Sequence, residues 1–238
     1  MPQQREEKLI SKKNKVFLRE RRINGELIRV VEKEFTDPEH YYLEMMIVNE
    51  LKRGELAVPG TLRATPPGAD GAGLIVYEYI EGPTALDYIG NNGLPQGRFV
   101  LKEIIRWLAE FYSILKARRK RQWILGDAHL RNFIYNESSG RLYGFDFENA
   151  CPGRIERDIA RLFLFIITYD PAYSGKHLKL AAGLIGGAMN AFSLNAAALR
   201  SEIETEAADM CARRNISLDR SLIAAIIEKE ITTSVQDR

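Results

Sequence analysis

Cysteine is scarce, and the sequence gives its cysteines no metal-binding neighbours. Cys151 and Cys211 are the two cysteines among 238 residues, no CxxC spacing occurs, and no histidine cluster lies nearby. Disulfide-rich secreted domains carry several paired cysteines, and structural zinc sites need four closely spaced Cys or His ligands. The sequence therefore argues against a disulfide framework and gives no indication of a zinc site.

Long hydrophobic runs are absent as well. The most apolar stretches, residues 162–168 and 180–192, fall short of the roughly 18–20 apolar residues that span a bilayer. The first residues, Met1 to Lys8, are polar and lack the apolar core of a secretory signal. We therefore expect no membrane span and a cytoplasmic location.

No excess of one charge is present either. The chain has 34 Lys and Arg against 32 Asp and Glu, a formal net charge of +2. This balance is too even to indicate nucleic acid or an anionic membrane as the main partner. With 45% apolar and 28% charged residues, the composition is that of a folded protein of one large or two small domains. Composition does not predict an oligomeric state.

The N-terminal part predicts a small α+β unit. Residues 15–35 predict an antiparallel hairpin, because two strand-like runs flank Asn24-Gly25, and both residues tolerate the positive φ of a tight turn. Residues 38–53 predict a helix that ends at Gly54. Two further strands are expected, a short one before residue 65 and another at residues 74–80.

Helices dominate the remainder of the predicted fold. Apolar residues at helical spacing predict an amphipathic helix over residues 99–115. A second hairpin is expected at residues 133–136 and 141–147, and helices at residues 158–169 and most of 176–235. The predicted class is therefore α+β, with a strand-rich N-terminal domain at residues 1–82 and a mainly helical C-terminal domain at residues 83–238.

Three polar side chains in the second half are not explained by packing. Asp127 and Asn132 lie in a loop that enters an apolar strand, and Asp146 lies between aromatic residues on the predicted return strand. A carboxylate is costly to bury without a partner, and oxygen ligands of this kind suit Mg²⁺. Taken singly, Asp127 could cap a turn and Asp146 could pair with an arginine. Their joint spacing favours a functional site.

These residues resemble motifs of a known family. The protein-kinase-like superfamily, in particular its aminoglycoside phosphotransferase and choline kinase branch, shows the same order of three motifs: Gly126-Asp127-x-His129-x-x-Asn132, Phe145-Asp146-Phe147-Glu148 and Asp158-Ile159-Ala160-Arg161-Leu162. The resemblance covers about residues 10–170. It implies a bilobal kinase-like fold and an ATP- and Mg²⁺-dependent phosphotransferase that acts on a hydroxyl group.

The resemblance also implies roles for single residues. Asp127 would accept or orient the proton of the acceptor hydroxyl, while Asn132 and Asp146 would bind Mg²⁺. Lys33 would hold the ATP phosphates, with Glu44 on the next helix as its ion-pair partner.

Other residues gain adenine-binding or structural roles by the same resemblance. The segment with Glu78, Tyr79 and Ile80 resembles the hinge whose backbone groups bind adenine. Asp158 would brace the catalytic loop through its backbone. His129 is expected to be a hydrogen-bonded structural histidine, and Arg131 to pair with a carboxylate.

Two departures from the family pattern are visible. Ser11-Lys12-Lys13-Asn14 stands where a glycine-rich phosphate loop is expected, and Lys12 and Lys13 are expected at the solvated surface. The interval from Asp146 to Asp158 leaves no room for a regulated activation segment. A peptide would therefore have little surface to lie on.

Three functional classes remain open. The leading one is a kinase for a hydroxyl on a small molecule or a sugar or lipid precursor, and the second is an atypical protein kinase of the RIO or tRNA-threonylcarbamoylation-associated type. The third is a nucleotide-binding pseudokinase scaffold. Acidic or aromatic side chains from residues 170–238 are expected beside Asp127. Glu202, Glu204 and Glu206 are expected to be solvated, although an inward-turned one would favour a cationic acceptor.

Overall fold

The computed structural model describes residues 6–9, 13–23, 25–69 and 71–236. Within them, five strands form one antiparallel sheet of order β1-β2-β3-β5-β4. The strands are β1 (Glu6–Leu9), β2 (Lys15–Ile23), β3 (Glu26–Phe35), β4 (Thr61–Thr65) and β5 (Gly73–Glu78). The predicted hairpin is confirmed, since β2 and β3 pair with each other along their length, up to the pair formed by Ile23 and Glu26. Asn24 of its turn and Lys12 lie outside the described residues.

Helix α1 (Pro38–Arg53) lies between β3 and β4 and has the bounds that the sequence predicts. Asp37 caps it by accepting a hydrogen bond from the backbone N–H of Glu39 at 2.9 Å, and Gly54 follows its last turn. One face of the helix is buried, and Glu44 lies on that face. The cap fixes where the helix begins, so it also fixes which face Glu44 occupies.

The C-terminal part begins with a helix that the sequence did not predict. Helix α2 (Ala85–Asn91) starts at Thr84, whose hydroxyl accepts from the N–H of Asp87 at 3.2 Å. Helix α3 (Leu94–Arg119) contains the predicted residues 99–115 and is longer at both ends. Its buried face includes Trp107 and Phe111, which stack on each other at 5.4 Å between ring centroids.

Short strands and four helices complete the fold. Strands β6 (Trp123–Ile124) and β9 (Cys151–Pro152) pair with each other, and β7 (Phe133–Asn136) and β8 (Arg141–Gly144) form the second hairpin. The helices are α4 (Ile155–Thr168), α5 (Gly175–Phe192), α6 (Ala196–Arg214) and α7 (Arg220–Gln236). Helix α4 packs on α5 and α6, while α5 also packs on α3 and α7.

The return strand of the second hairpin is shorter than predicted. Strand β8 ends at Gly144, so Asp146 is not on a strand. Asp146 instead has a φ of 67°, in the left-handed region, which turns the chain away from the strand direction. This conformation directs the aspartate out of the hairpin and toward the sheet, where Lys33 lies.

The strand-rich N-terminal part and the mainly helical C-terminal part confirm the predicted α+β class. The predicted domain boundary between residues 82 and 83 stays a prediction. Among the described residues, no helix combines the length and the hydrophobicity that crossing a membrane requires.

Candidate active site

Asp158, in the first turn of α4, holds the loop that carries Asp127. Its two carboxylate oxygens accept hydrogen bonds from the backbone N–H groups of Leu125 at 2.7 Å and Gly126 at 3.0 Å, and Tyr112 donates its hydroxyl at 3.0 Å. Burial raises the pKa of Asp158 to about 6, although these three hydrogen bonds and Arg161 act in the opposite direction. The loop is thus fixed by a buried carboxyl on a helix.

Gly126 brings this loop against the segment that follows Asp146. Its φ is 74°, and a Cβ at this position would overlap the carbonyl oxygen of Asn149. Only glycine combines this φ with so close a backbone approach at no steric cost. The residue before Asp127 and the segment after Asp146 are therefore in direct contact.

Asp127 is partly exposed, with 35% of its side chain accessible to solvent. Its Oδ1 accepts from Nη1 of Arg161 at 3.2 Å, and its Oδ2 lies 4.0 Å from Nε2 of His129. Arg161 also donates to the carbonyl oxygen of Gly126 and, through Nε, to Glu206 at 2.9 Å. One carboxylate oxygen of Asp127 is thus held by Arg161, while the other lies near His129.

Asn132 connects the loop to the second hairpin. Its Nδ2 donates to the carbonyl oxygen of Asp127 at 2.9 Å, and its own carbonyl accepts from the N–H of Phe145 at 3.1 Å. The residue is buried. These two hydrogen bonds fix Asn132 relative to Asp127 and to Phe145, the residue before Asp146.

Lys33 on β3 lies among three carboxylates. Its Nζ is 2.7 Å from Glu44, 2.5 Å from Asp146 and 2.9 Å from Glu148, and 9% of its side chain is exposed. Burial by itself would lower the pKa of Lys33, but the three acids raise it well above its ordinary value. The lysine is therefore a fixed cation within the site.

The three acids around Lys33 form a cluster of hard oxygen donors. Carboxylate oxygens of Glu44, Asp146 and Glu148 all lie within 4.8 Å of one another. Burial raises the pKa of Glu44, against the effect of Lys33, and the hydroxyl of Tyr77 donates to Glu44 at 2.8 Å. Asp146 is the most accessible of the three, with 37% of its side chain exposed. Oxygen donors on a partly open edge fit a divalent cation such as Mg²⁺.

The chain before β2 reaches the same cluster. The side-chain amide of Asn14 donates to Glu148, and Nζ of Lys13 lies 2.9 Å from Oδ1 of Asn149. The sequence predicted a solvated Lys13, and it is exposed but hydrogen-bonded. Lys13 and Asn14 are thus joined to the residues after Asp146.

The predicted adenine hinge follows β5. The side chain of Glu78 accepts from the N–H of Gly60 at 2.7 Å, and the ring of Tyr79 lies 4.2 Å below the guanidinium carbon of Arg29. Ile80 is buried. The backbone N–H of Glu78 also donates to the carbonyl oxygen of Gly60 at 2.8 Å. Because both the carboxylate and the N–H of Glu78 are bound to Gly60, adenine contacts in this segment would come from its other backbone groups.

The linker after the hinge is joined to the second hairpin. Gly82 has a φ of 137°, and a Cβ there would overlap the carbonyl oxygen of Tyr135. The N–H of Tyr135 donates to the carbonyl oxygen of Pro83 at 3.1 Å, and Thr84 forms a β-bridge with Ile134. The chain is thus attached to β7 as soon as it leaves the sheet.

Three residues near Asp127 differ from what the sequence predicts. Glu206 is buried rather than solvated, and it pairs with Arg161 and with Arg213 at 2.7 Å. Arg131 forms no ion pair with any residue that the structure describes, and Arg161 takes the predicted place beside a carboxylate. Nδ1 of His129 is buried without a hydrogen-bond partner within the described chain, so the prediction of a hydrogen-bonded histidine is wrong for that atom.

Glu148, Arg161 and Asn14 are site residues that the sequence reasoning did not select. Glu148 and Arg161 lie within the motifs that carry the family resemblance, so their positions could have identified them as site residues. Asn14 carried no such signal, because its partner is 134 positions away.

Residues 91–184 match the model of the APH family, described as the phosphotransferase enzyme family. The match confirms the predicted resemblance. The matched segment contains the second hairpin, Asp127, Asn132, Asp146 and the start of α4 with Asp158. It supports a kinase-type phosphotransferase and leaves the acceptor undetermined.

Among solved structures, the chain is similar to the kinase PK-1 of Cydia pomonella granulovirus, with a TM-score of 0.46 and 20% sequence identity. The similarity covers 62% of this chain and 52% of that one, so the chain spans about half the length of the viral kinase. The comparison with curated proteins gives no match.

Proposed function

We propose that this chain transfers the γ-phosphoryl group of ATP to a hydroxyl group of a small molecule or of a sugar or lipid precursor. The observation that carries the proposal is the convergence at Lys33. This buried cation from the sheet touches Asp146, which follows the hairpin whose entry loop carries Asp127. Kinase chemistry needs this combination of a phosphate-binding cation, metal-binding oxygens and a hydroxyl-activating carboxylate.

On the nucleotide side, Lys33 would bind the phosphates while Glu44 keeps its ammonium group in place. Asn132 and Asp146 would hold Mg²⁺, which neutralises charge on the phosphoryl group during transfer. Asn132 uses its Nδ2 to brace the loop, so its amide oxygen is the atom it would offer to a cation. The backbone of Glu78, Tyr79 and Ile80 would bind adenine.

On the acceptor side, Asp127 would accept the proton of the attacking hydroxyl. The acceptor oxygen forms a bond to the γ-phosphorus, the bond from that phosphorus to the β,γ-bridging oxygen breaks, and ADP leaves with the electron pair. The proton passes to the carboxylate of Asp127 and then to solvent. Arg161 keeps the carboxylate oriented during this step, because it already binds Oδ1.

A small acceptor is favoured by the segment after Asp146. Residues 151–152 pair with β6 as strand β9, and α4 begins at Ile155. The backbone between Asp146 and α4 is therefore engaged in the fold over the interval where a protein kinase would carry a peptide-docking segment.

The test measures Mg·ATP binding by calorimetry and ADP release with a panel of hydroxyl-bearing metabolites, with a peptide mixture as a separate arm. Lys33→Met and Asp146→Asn should each remove nucleotide binding or weaken it at least tenfold. The matched controls Lys179→Met and Asp209→Asn change exposed residues and should bind like the wild type. Unchanged affinity in Lys33→Met and Asp146→Asn would place the site elsewhere, and turnover of peptides alone would favour the protein-kinase class.

A further inference from the structure

The acceptor side of the site carries an arginine stacked on an aromatic ring. The guanidinium carbon of Arg214, at the end of α6, lies 4.5 Å from the ring centroid of Phe165. The Phe165 ring is in turn 5.4 Å from the ring of His129, whose Nε2 is 4.0 Å from Asp127. Arg214 thus belongs to a row of side chains that leads directly to Asp127.

A second arginine lies on the catalytic loop itself, four positions after Asp127. Arg131 directly precedes Asn132 in the short 3-10 turn Leu130–Asn132, and its side chain is exposed. Burial raises the pKa of Tyr169 to about 12, while the charges of Arg131 and Arg214 act to lower it and that of Asp127 to raise it, and the Tyr169 ring is 6.1 Å from that of Phe165. The two arginines therefore share one neighbourhood beside Asp127.

The acids of this region are already neutralised. Glu206 pairs with Arg161 and Arg213, and Arg161 also pairs with Asp127. Arg131 and Arg214 form no ion pair with any residue in the described part of the chain, so both guanidinium groups are available to an anionic ligand. The inward-turned Glu206 is thus engaged by two arginines and offers no free carboxylate to a cationic acceptor.

We infer that the acceptor carries an anionic phosphate or carboxylate group in addition to its hydroxyl, and that Arg131 and Arg214 bind this group beside Asp127. The inference rests on the proposed function and names its substrate class, a small phosphorylated or carboxylated alcohol. A guanidinium presents several N–H donors in a plane that match these oxygen pairs. It also holds the negative group apart from the carboxylate of Asp127, which would otherwise repel the acceptor.

The test compares acceptors that differ in one group. The pairs are glycerol with glycerol 3-phosphate, glucose with glucose 6-phosphate, and ethylene glycol with glycolate, and choline serves as a cationic compound. Binding to the full chain is measured by calorimetry with Mg²⁺ and a non-hydrolysable ATP analogue, and turnover is measured as ADP release. We expect at least one anionic compound to bind tenfold or more tightly than its uncharged partner, and the phosphate and carboxylate arms identify the group.

Variants then connect that preference to the two arginines. Arg131→Gln and Arg214→Gln should each raise KM or Kd for the anionic compound about tenfold and change kcat far less, because these residues bind the acceptor and leave the reacting atoms untouched. Arg214→Lys, which keeps the charge, should retain more affinity than Arg214→Gln. Arg118→Gln, a change at an exposed arginine near the end of α3, is the matched control and should leave both constants unchanged.

Two outcomes overturn the inference while the proposed function stands. In the first, the chain binds nucleotide but binds no anionic compound more tightly than its uncharged or cationic counterpart. The other is an anion preference that survives both glutamine substitutions. A wild-type chain that binds no Mg·ATP and forms no ADP contradicts the proposed function itself.

Discussion

Nε of Arg161 lies 2.9 Å from Oε1 of Glu206, which links α4 to α6 through a buried ion pair. The same guanidinium reaches Asp127 on the catalytic loop. The last part of the chain therefore supports the proposed base, although it lies 79 positions beyond Asp127 in the sequence, at Glu206.

Replacing Glu206 by alanine should destabilise the fold strongly. The change removes one of the two acids that pair with the buried Arg161, and removing one partner of a buried ion pair typically costs about 3–5 kcal/mol. Urea unfolding followed by circular dichroism measures the free energy of unfolding. Glu228→Ala is the matched control, because it breaks the exposed pair with Arg200 and should change stability far less. Equal losses in the two variants would contradict the structural role of Glu206.

Asp127→Asn should separate turnover from nucleotide binding. The substitution removes a proton acceptor on the acceptor side, so turnover should fall by about 10²-fold or more. Affinity for Mg·ATP should stay close to that of the wild type, since Lys33 and the acids around it are unchanged. Steady-state kinetics and calorimetry measure the two effects. Parallel loss of binding and turnover would mark Asp127 as a structural residue instead.

Asp158 predicts a specific dependence of stability on pH. Its pKa is raised to about 6 in the folded chain, above the ordinary value of 3.8, so the folded state binds the proton more tightly than the unfolded state does. The contribution of this group is complete below the unfolded pKa and is lost as the pH rises to about 6. Relative to Asp158→Asn, the wild type should lose about 3 kcal/mol of unfolding free energy between about pH 3.5 and pH 7.

Denaturant unfolding of both proteins across that range measures the difference directly. Above about pH 7 the difference should be constant, since Asp158 is then ionised in both states. A wild type whose stability rises with pH relative to that of Asp158→Asn would contradict the predicted direction.

Gly126→Ala should be destabilising, whereas Gly183→Ala should be tolerated. At Gly126 the added methyl group would overlap the carbonyl oxygen of Asn149, and the φ of 74° is itself unfavourable for alanine. Because these two effects add, we expect the free energy of unfolding to fall by about 2–4 kcal/mol. Gly183 is exposed in α5 with open space around it, so alanine should stabilise by about 0.5–1 kcal/mol. Thermal and urea unfolding measure both changes. Similar effects at the two positions would contradict the close approach at Gly126.

Elements with local signals could be predicted from the sequence. Asp37, Pro38 and Gly54 mark the ends of α1 by capping and backbone geometry, and these signals do not depend on the rest of the fold. Helix α2 was missed because seven residues give too few turns for a hydrophobic period to emerge. The alternation of aromatic and other residues around Asp146 predicted that the strand continues. The positive φ of Asp146 is incompatible with an extended strand, so the strand ends before it.

Long-range pairs could not be predicted in this way. Arg161 and Glu206 are 45 positions apart, and their contact depends on how α6 packs on α4. Glu206 was therefore expected in solvent from its polar neighbours, although packing buries it. The Asn14 contact with Glu148 depends in the same manner on how the start of β2 packs against the segment after Asp146.

The attachment of Gly82 and Pro83 to Tyr135 determines where the molecule can bend. Because the chain is joined to the second hairpin from residue 82 onward, an opening motion of the sheet has to rotate about backbone bonds before Gly82, in residues 79–81. The hairpin would then travel with the helices while Lys33 travels with the sheet. Such a motion would break and remake the contacts of Lys33 with Asp146 and Glu148, together with those that join Lys13 to Asn149 and Asn14 to Glu148. Access to the proposed nucleotide site would then depend on the three residues 79–81.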